Sequence, residues 1–251
     1  MNEKNKGNQQ ETMEPKEQQY KMEPQEPWMV KEPQAAYRLD EPMDESRRLR
    51  LLEDDVEMGD KTLEDYLALP EGTRMELIDG KFYDMASPSF VHSRIASRLL
   101  FQLEECIDRN HGSCIPLGAS YDVQLDQDDK TVVIPDVMVI CDREGLHMNR
   151  FHGAPDLIIE IVSPGNWRID VIKKRAKYER AGVREYWMIF PEEQKVTVCY
   201  FEGREDPVDY SFHDKIPVRI WGGKGEIDFE DIYERIRFTY DQGQQESESL
   251  Y

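Results

Sequence analysis

The sequence predicts an α/β fold, one central mixed sheet flanked by helices. Three observations carry this. Apolar, strand-like runs gather in the middle of the chain, at 121–125, 131–140 and 156–162. A segment with helical periodicity precedes them, and another follows before two further strand-like runs at 184–190 and 195–201. Helices on both sides of a block of strands need one sheet to bury their apolar faces. The predicted domain spans 60–240, between a disordered, acidic, Glu-Pro-rich tail at 1–59 and a polar C-terminal tail at 241–251.

In chain order, Glu-Pro recurs at Glu14, Glu23, Glu26, Glu32 and Glu41. Proline at that density blocks helix and sheet pairing, and low hydrophobicity leaves nothing to offset the entropy of ordering. Trp28 and Tyr37 are the tail's candidate anchors for a protein partner, and 46–57 is compatible with a short helix. Thr62 with Asp65 three residues on marks a capped helix start. "RMELIDGKFYDM" (74–85) places Asp-Gly between two apolar arms, a hairpin signal. Ile95, Leu99, Leu103 and Ile107 recur every four residues, predicting an amphipathic helix that ends at His111-Gly112. In "TVVIPDVMVI" (131–140), Pro135 cannot donate a ladder hydrogen bond, so the strand is expected to be distorted there. A helix over 168–181 stops at Gly182. "REYWMIF" and "KVTVCYF" pair as a hairpin, "DKIPVRI" (214–220) is a short strand, "WGGKG" (221–225) a turn, and 228–236 a closing helix.

The formal charge is −20, with −6 on residues 1–59 and −14 on the rest. Such a chain repels nucleic acid at long range, so phosphate-directed function must rest on a local basic patch. No run of about 18 apolar residues exists, which predicts no membrane span, and the polar start "MNEKNKGNQQ" makes a cytoplasmic location the expectation. The four cysteines form no CxxC pair and suggest no disulfide. Five histidines and four cysteines show no zinc spacing. "WGGKG" lacks the spacing of a phosphate-binding loop, and Ser163-Pro164 lacks a nucleophile elbow.

Two acids interrupt apolar strands, Asp136 in "VVIPDVMVI" and Glu160 in "LIIEIV". A buried carboxylate needs a partner. Two on adjacent strands can share a divalent cation with oxygen ligands; alternatively each pairs with an arginine or a backbone group. A run of cations follows, Arg168, Lys173, Lys174, Arg175, Lys177 and Arg180, too many for one helix face. Asp170, Lys174 and Tyr178 recur at i, i+4 and i+8 and share a stripe, whereas Lys173 and Lys177 lie on another.

These residues resemble the PD-(D/E)xK nuclease arrangement, and more closely the Uma-two family of restriction-endonuclease-like proteins. The resemblance covers roughly 62–236 and rests on "MELIDGK" (75–81), "PSFVHS" (88–93), "IPDVMVI" (134–140), "PDLIIEIVSP" (155–164), "DVIKKRAKY" (170–178) and "AGVREYW" (181–187). It implies a restriction-endonuclease-like core in which Asp136, Glu160 and the carbonyl of Ile161 hold Mg²⁺ or Mn²⁺. Glu76 would add a ligand or orient a water, and His92 matches a family histidine, a candidate of second rank. In the commonest form of the motif, lysine lies two residues after the second acid. That position here is Val162, and the family spacing selects Lys174 on the following helix as its replacement. Arg168, Lys173 and Lys177 would bind phosphate, DNA would be the substrate, and a homodimer is expected by analogy. The leading expectation is a metal-dependent DNA endonuclease. The alternatives are a catalytically inactive module of the same fold that binds a protein or nucleic-acid partner, and a hydrolase of another phosphate ester.

Overall fold

The computed structural model describes residues 29–30, 58–125, 129–165 and 167–240. Expectations for the remainder of the N-terminal tail and for 241–251 lie outside the described residues. The expected tail contributes one described element, β1 (Met29–Val30), which pairs in parallel with the hairpin strand at Phe82–Tyr83.

Helix α1 (Leu63–Leu67) opens with the predicted capping box, in which Thr62 Oγ1 accepts from Asp65 N and Thr62 N donates to the Asp65 carboxylate at 2.9 Å. Strands β2 (Met75–Ile78) and β3 (Lys81–Asp84) form the predicted hairpin. Its two turn residues, Asp79 and Gly80, sit at φ 51° and 74°. That left-handed pair matches strand twist in a two-residue hairpin and explains why Asp-Gly stands there. Helix α2 (Phe90–Arg109) is capped by Ser89 and buries Ile95, Leu99, Leu103 and Ile107. Each such side chain contributes roughly 1.5–3 kcal/mol when taken fully from water.

Strands β4 (Ile115–Gly118) and β5 (Asp122–Gln124) follow. The apolar run at 131–140 then splits at Pro135 into β6 (Val132–Val133) and β7 (Val137–Ile140). The two halves join different sheets. After β8 (Arg150–His152) and β9 (Leu157–Ile161), a π-helical segment (Ile169–Lys174) runs into α3 (Arg175–Ala181). The sequence predicted one uniform helix here; its first part instead takes the wider π turn, common at functional sites. Gly182, at φ 98°, ends it in the left-handed C-cap expected of glycine. Then come β10 (Glu185–Phe190), β11 (Lys195–Tyr200), β12 (Val208–Ser211), β13 (Lys215–Val218), β14 (Gly225–Asp228) and α4 (Phe229–Glu234).

The central mixed sheet has the order β12-β11-β10-β9-β7-β4, parallel at β9–β10 and antiparallel elsewhere. The parallel pair takes its crossover through α3, as a parallel connection requires. A second six-stranded sheet, β1-β3-β2-β6-β5-β8, and the β13–β14 ribbon complete the architecture. Central strands β9 and β10 are buried along their whole length, which is why they read as continuous apolar runs. Alternation sorts their side chains into two cores. Leu157, Ile159, Ile161, Trp187 and Ile189 pack toward α2 and α4. Ile158, Tyr186 and Met188 pack toward α3 and the second sheet. Glu160 shares the parity of Ile158, so it faces α3.

The cysteine expectation is corrected. Cys114 and Cys141 form a disulfide, Cα–Cα 4.1 Å. They directly flank the cross-strand pair Ile115–Ile140 of β4 and β7. The 27-residue separation hides the pairing in sequence; the antiparallel register creates it. Cys106 and Cys199 are free and buried. Among the described residues, no helix is long and apolar enough to cross a membrane.

Candidate active site

The break at Pro135 builds the site. β7 and β9 pair with Val137 opposite Ile159, and one further step of that register sets Asp136 opposite Glu160. Freed from ladder bonding, the backbone and carboxylates interlock. Ile161 N donates to Asp136 Oδ2 at 2.8 Å, and Asp136 N reaches Glu160 Oε2 at 3.4 Å. Ile134 N, on the other side of the proline, donates to Glu76 Oε1 at 2.8 Å. Glu76 stands on β2, so the hairpin of the second sheet meets the central sheet here.

Lys174 occupies the centre. Its Nζ lies 2.8 Å from Glu76 Oε2, 3.0 Å from Glu160 Oε1 and 3.4 Å from Asp170 Oδ1, with its side chain 4% exposed. Tyr178 OH donates to the same Glu160 Oε1 at 2.6 Å. Thus Asp170, Lys174 and Tyr178 all turn toward Glu160, although the first two lie on the π segment. Tyr186 OH donates to the carbonyl of Asp170 at 3.0 Å and steadies that turn.

One ammonium cannot neutralise these carboxylates. Burial pushes the Glu160 carboxyl well above its ordinary range; Lys174 opposes this, while Asp136, Asp170 and Glu76 add to it. Burial likewise pushes Asp170 up to about 7. Burial alone would lower the Lys174 ammonium, but Glu160, Glu76 and Asp170 more than reverse that and hold it protonated. Burial and the Glu160 charge raise the Tyr178 phenol, which therefore remains a donor.

His92, near the start of α2, places Nε2 3.0 Å from Asp136 Oδ2. Its Nδ1 is buried without a hydrogen-bond partner among the described residues. Glu76, His92, Asp136, Glu160, Ile161 and Lys174 all line one cavity of about 580 Å³, a volume typical of ligand sites.

Three cations expected at phosphate do not line it. Lys177 is buried in an ion pair with Asp79 of the hairpin turn. Lys173 donates to Tyr83 OH at 2.6 Å. Both lie on the stripe that faces the second sheet, and the hairpin consumes that stripe. Arg168, just before the π segment, lies outside the cavity wall as well. Asp170 and Tyr178 were legible only as companions of Lys174 on one stripe, because their approach to Glu160 depends on how the π segment and α3 lie over β9.

The donor set fits a divalent cation. Asp136 and Glu160 offer hard oxygens on facing strands, beside the backbone of Ile161, in a cluster with more carboxylates than cations. Among the described residues, no three His, Cys, Asp or Glu side chains are arranged to hold a metal by themselves. An incomplete set of this kind suits Mg²⁺, which keeps several waters and takes one or two carboxylates plus substrate phosphate.

No curated protein matches the sequence. Among solved structures, a protein from Anabaena variabilis ATCC 29413, described as "a putative nuclease belonging to DUF820", matches with a TM-score of 0.58 and 24% identity. The match covers 69% of this chain and 97% of that one, and it shows the fold. The Uma2 family model, described as "Putative restriction endonuclease", matches residues 63–218, more than half the chain. That span runs from the first helix through every residue of the carboxylate–lysine cluster, and the protein therefore belongs to the Uma2 family.

Proposed function

We propose that the protein is a divalent-metal-dependent DNA endonuclease. One observation carries the reading: Asp136 and Glu160 face each other across a strand break at the cavity floor, beside a lysine held by three carboxylates. Asp136, Glu160 and the carbonyl of Ile161 would hold Mg²⁺ or Mn²⁺. Bound there, the cation supplies a water of lowered pKa and neutralises charge on the phosphoryl oxygens.

The chain's own residues do the rest. Ile161 N and His92 fix Asp136 from two sides. Tyr178 and Lys174 fix one oxygen of Glu160, leaving Oε2, among the described residues, with only the long contact from Asp136 N. Lys174, protonated and lining the cavity, is a fixed positive charge where a phosphorane develops negative charge. Glu76 and Asp170 hold that ammonium in place. Glu76, Asp136, Glu160 and Lys174 thus form the catalytic set, with the lysine migrated from Val162 to the following helix.

The charge of −20 favours a second reading, a module that keeps this fold and binds a partner without cutting. Cleavage assays on plasmid, linear and single-stranded DNA with Mg²⁺ or Mn²⁺ separate the two. Cutting that disappears with EDTA and in Asp136→Asn supports the nuclease. A folded wild type that cuts none of the three substrates with either metal refutes it.

A further inference from the structure

Phe90 and Phe238 are 59% and 46% exposed, and their rings meet edge to face with centroids 5.8 Å apart. Single exposed apolar residues are ordinary, but these two form a pair at a particular place. Ser89 and Val91, the chain neighbours of Phe90, line the active cavity, as does Tyr240, two residues beyond Phe238. The aromatic pair therefore stands on the cavity's rim. Two guanidiniums accompany it, one on the cavity wall and one beside Phe90. Arg74 lines the cavity, and Arg94 lies one helical turn after Phe90 on the same stripe of α2. Neither makes an ion pair among the described residues. Arg98, the next residue on the stripe, is already bound to Asp231.

From this we infer that Phe90 and Phe238 are a stacking platform for an unpaired nucleobase of a single nucleic-acid strand whose phosphate enters the cavity. The inference rests on the nuclease reading and narrows its substrate. Inside an unkinked duplex the base faces stack on one another, whereas an unpaired base offers its face to these rings without any unstacking. A cavity of about 580 Å³ has the size of a small-ligand pocket, suited to nucleotides of one strand. The chain's charge of −20 repels any nucleic acid at long range, and repels duplex DNA more than a single strand, because the duplex carries the higher charge density. Stacking on aromatic rings needs no long-range attraction and tolerates any base. Arg74 and Arg94 supply the local positive charge that the flanking phosphates require.

The test titrates full-length protein, in EDTA so that nothing is cut, into single-stranded oligonucleotides with 2-aminopurine at successive positions. The wild type should quench the fluorophore at one or two positions and bind single strands more tightly than the matching duplex. Phe90→Ala should lose the quench and bind about tenfold more weakly, by the same factor at about 50 mM and 200 mM salt. Phe90→Trp should restore both. Because the ring is exposed, melting temperature should not change. Equal quench and affinity in Phe90→Ala overturn the inference. So do a preference for duplex, the absence of strand binding by the wild type, and a change in oligomeric state in place of binding. Cleavage is read separately. A wild type that stacks the base but cuts nothing with Mg²⁺ or Mn²⁺ sinks the nuclease reading alone. One that cuts while Phe90→Ala still quenches sinks the platform alone.

Discussion

Replacing Lys174 by methionine removes the single ammonium among Glu76, Glu160 and Asp170 while keeping most of its volume. All three contacts are 3.4 Å or shorter, and the lysine side chain is 4% exposed. Removing one partner of a buried ion pair costs about 3–5 kcal/mol, because the remaining charge stays desolvated. Carboxylates have an escape that other groups lack, since they can take up protons. Asp170 is already pushed up to about 7 beside the lysine, and without that lysine, which holds both down, the Glu160 and Asp170 carboxyls move up further. The folded variant then binds more protons than its unfolded chain, so its stability must fall as pH rises. Against wild type, the expected loss is about 3–5 kcal/mol at pH 8 and below about 2 kcal/mol at pH 5. For a domain of this size the pH 8 loss corresponds to a drop in melting temperature on the order of 10 °C. Urea unfolding followed by circular dichroism at both pH values measures it. Lys173→Met is the control: it loses the hydrogen bond to Tyr83 OH, about 1–2 kcal/mol, with no relief in acid. On the proposed mechanism Lys174→Met is also inactive where it remains folded, and Lys173→Met still cuts. A Lys174→Met loss under about 1 kcal/mol, or one equal at the two pH values, would refute Lys174 as the counterion of this cluster.

Calorimetric titration of the wild type with Mn²⁺ should show binding that Asp136→Asn abolishes; equal heats from both would remove Asp136 from the metal site. Without divalent cation, the raised Asp170 carboxyl holds a proton that the unfolded chain has shed. Wild-type stability should therefore decline from about pH 4 to about pH 7, by at most about 4 kcal/mol. Asp170→Asn should flatten that slope, and an unchanged slope would show that Asp170 is not its source. Reducing Cys114–Cys141, or changing both to serine, frees a 27-residue loop in the unfolded chain and should cost roughly 3–4 kcal/mol. A melting curve indifferent to reductant would count against the bond's contribution.

Much of the fold was legible because its causes are local. The capping box at Thr62 and the Asp79-Gly80 turn each rest on residues a few positions apart, as does the four-residue repeat from Ile95 to Ile107. Propensity and periodicity report such patterns directly. β4, β8, β12 and β14 were missed because each is only three or four residues long, too short for a period to show; their register comes from the strands they pair with.

Burial alone did not single out Glu160. Glu185 is as deeply buried on the next strand, yet Trp187 Nε1 and the N–H groups of Arg219 and Ile220 satisfy it fully. It is a structural carboxylate, held by an indole and two backbone N–H groups. In sequence the two look alike, each an acid at an apolar strand.

The sequence by itself determined the longer helices and strands, the strand interruption at Pro135-Asp136, and the stripe that joins Asp170, Lys174 and Tyr178. All three follow from backbone chemistry and side-chain period. Only the tertiary structure decided which face of β9 carries Glu160 and that Glu76 arrives from another sheet. It also decided that Lys173 and Lys177 spend themselves on the hairpin, and that Cys114 meets Cys141. Those outcomes depend on strand register, where a slip of one residue moves every side chain to the opposite face, and register is set by partners tens of residues away.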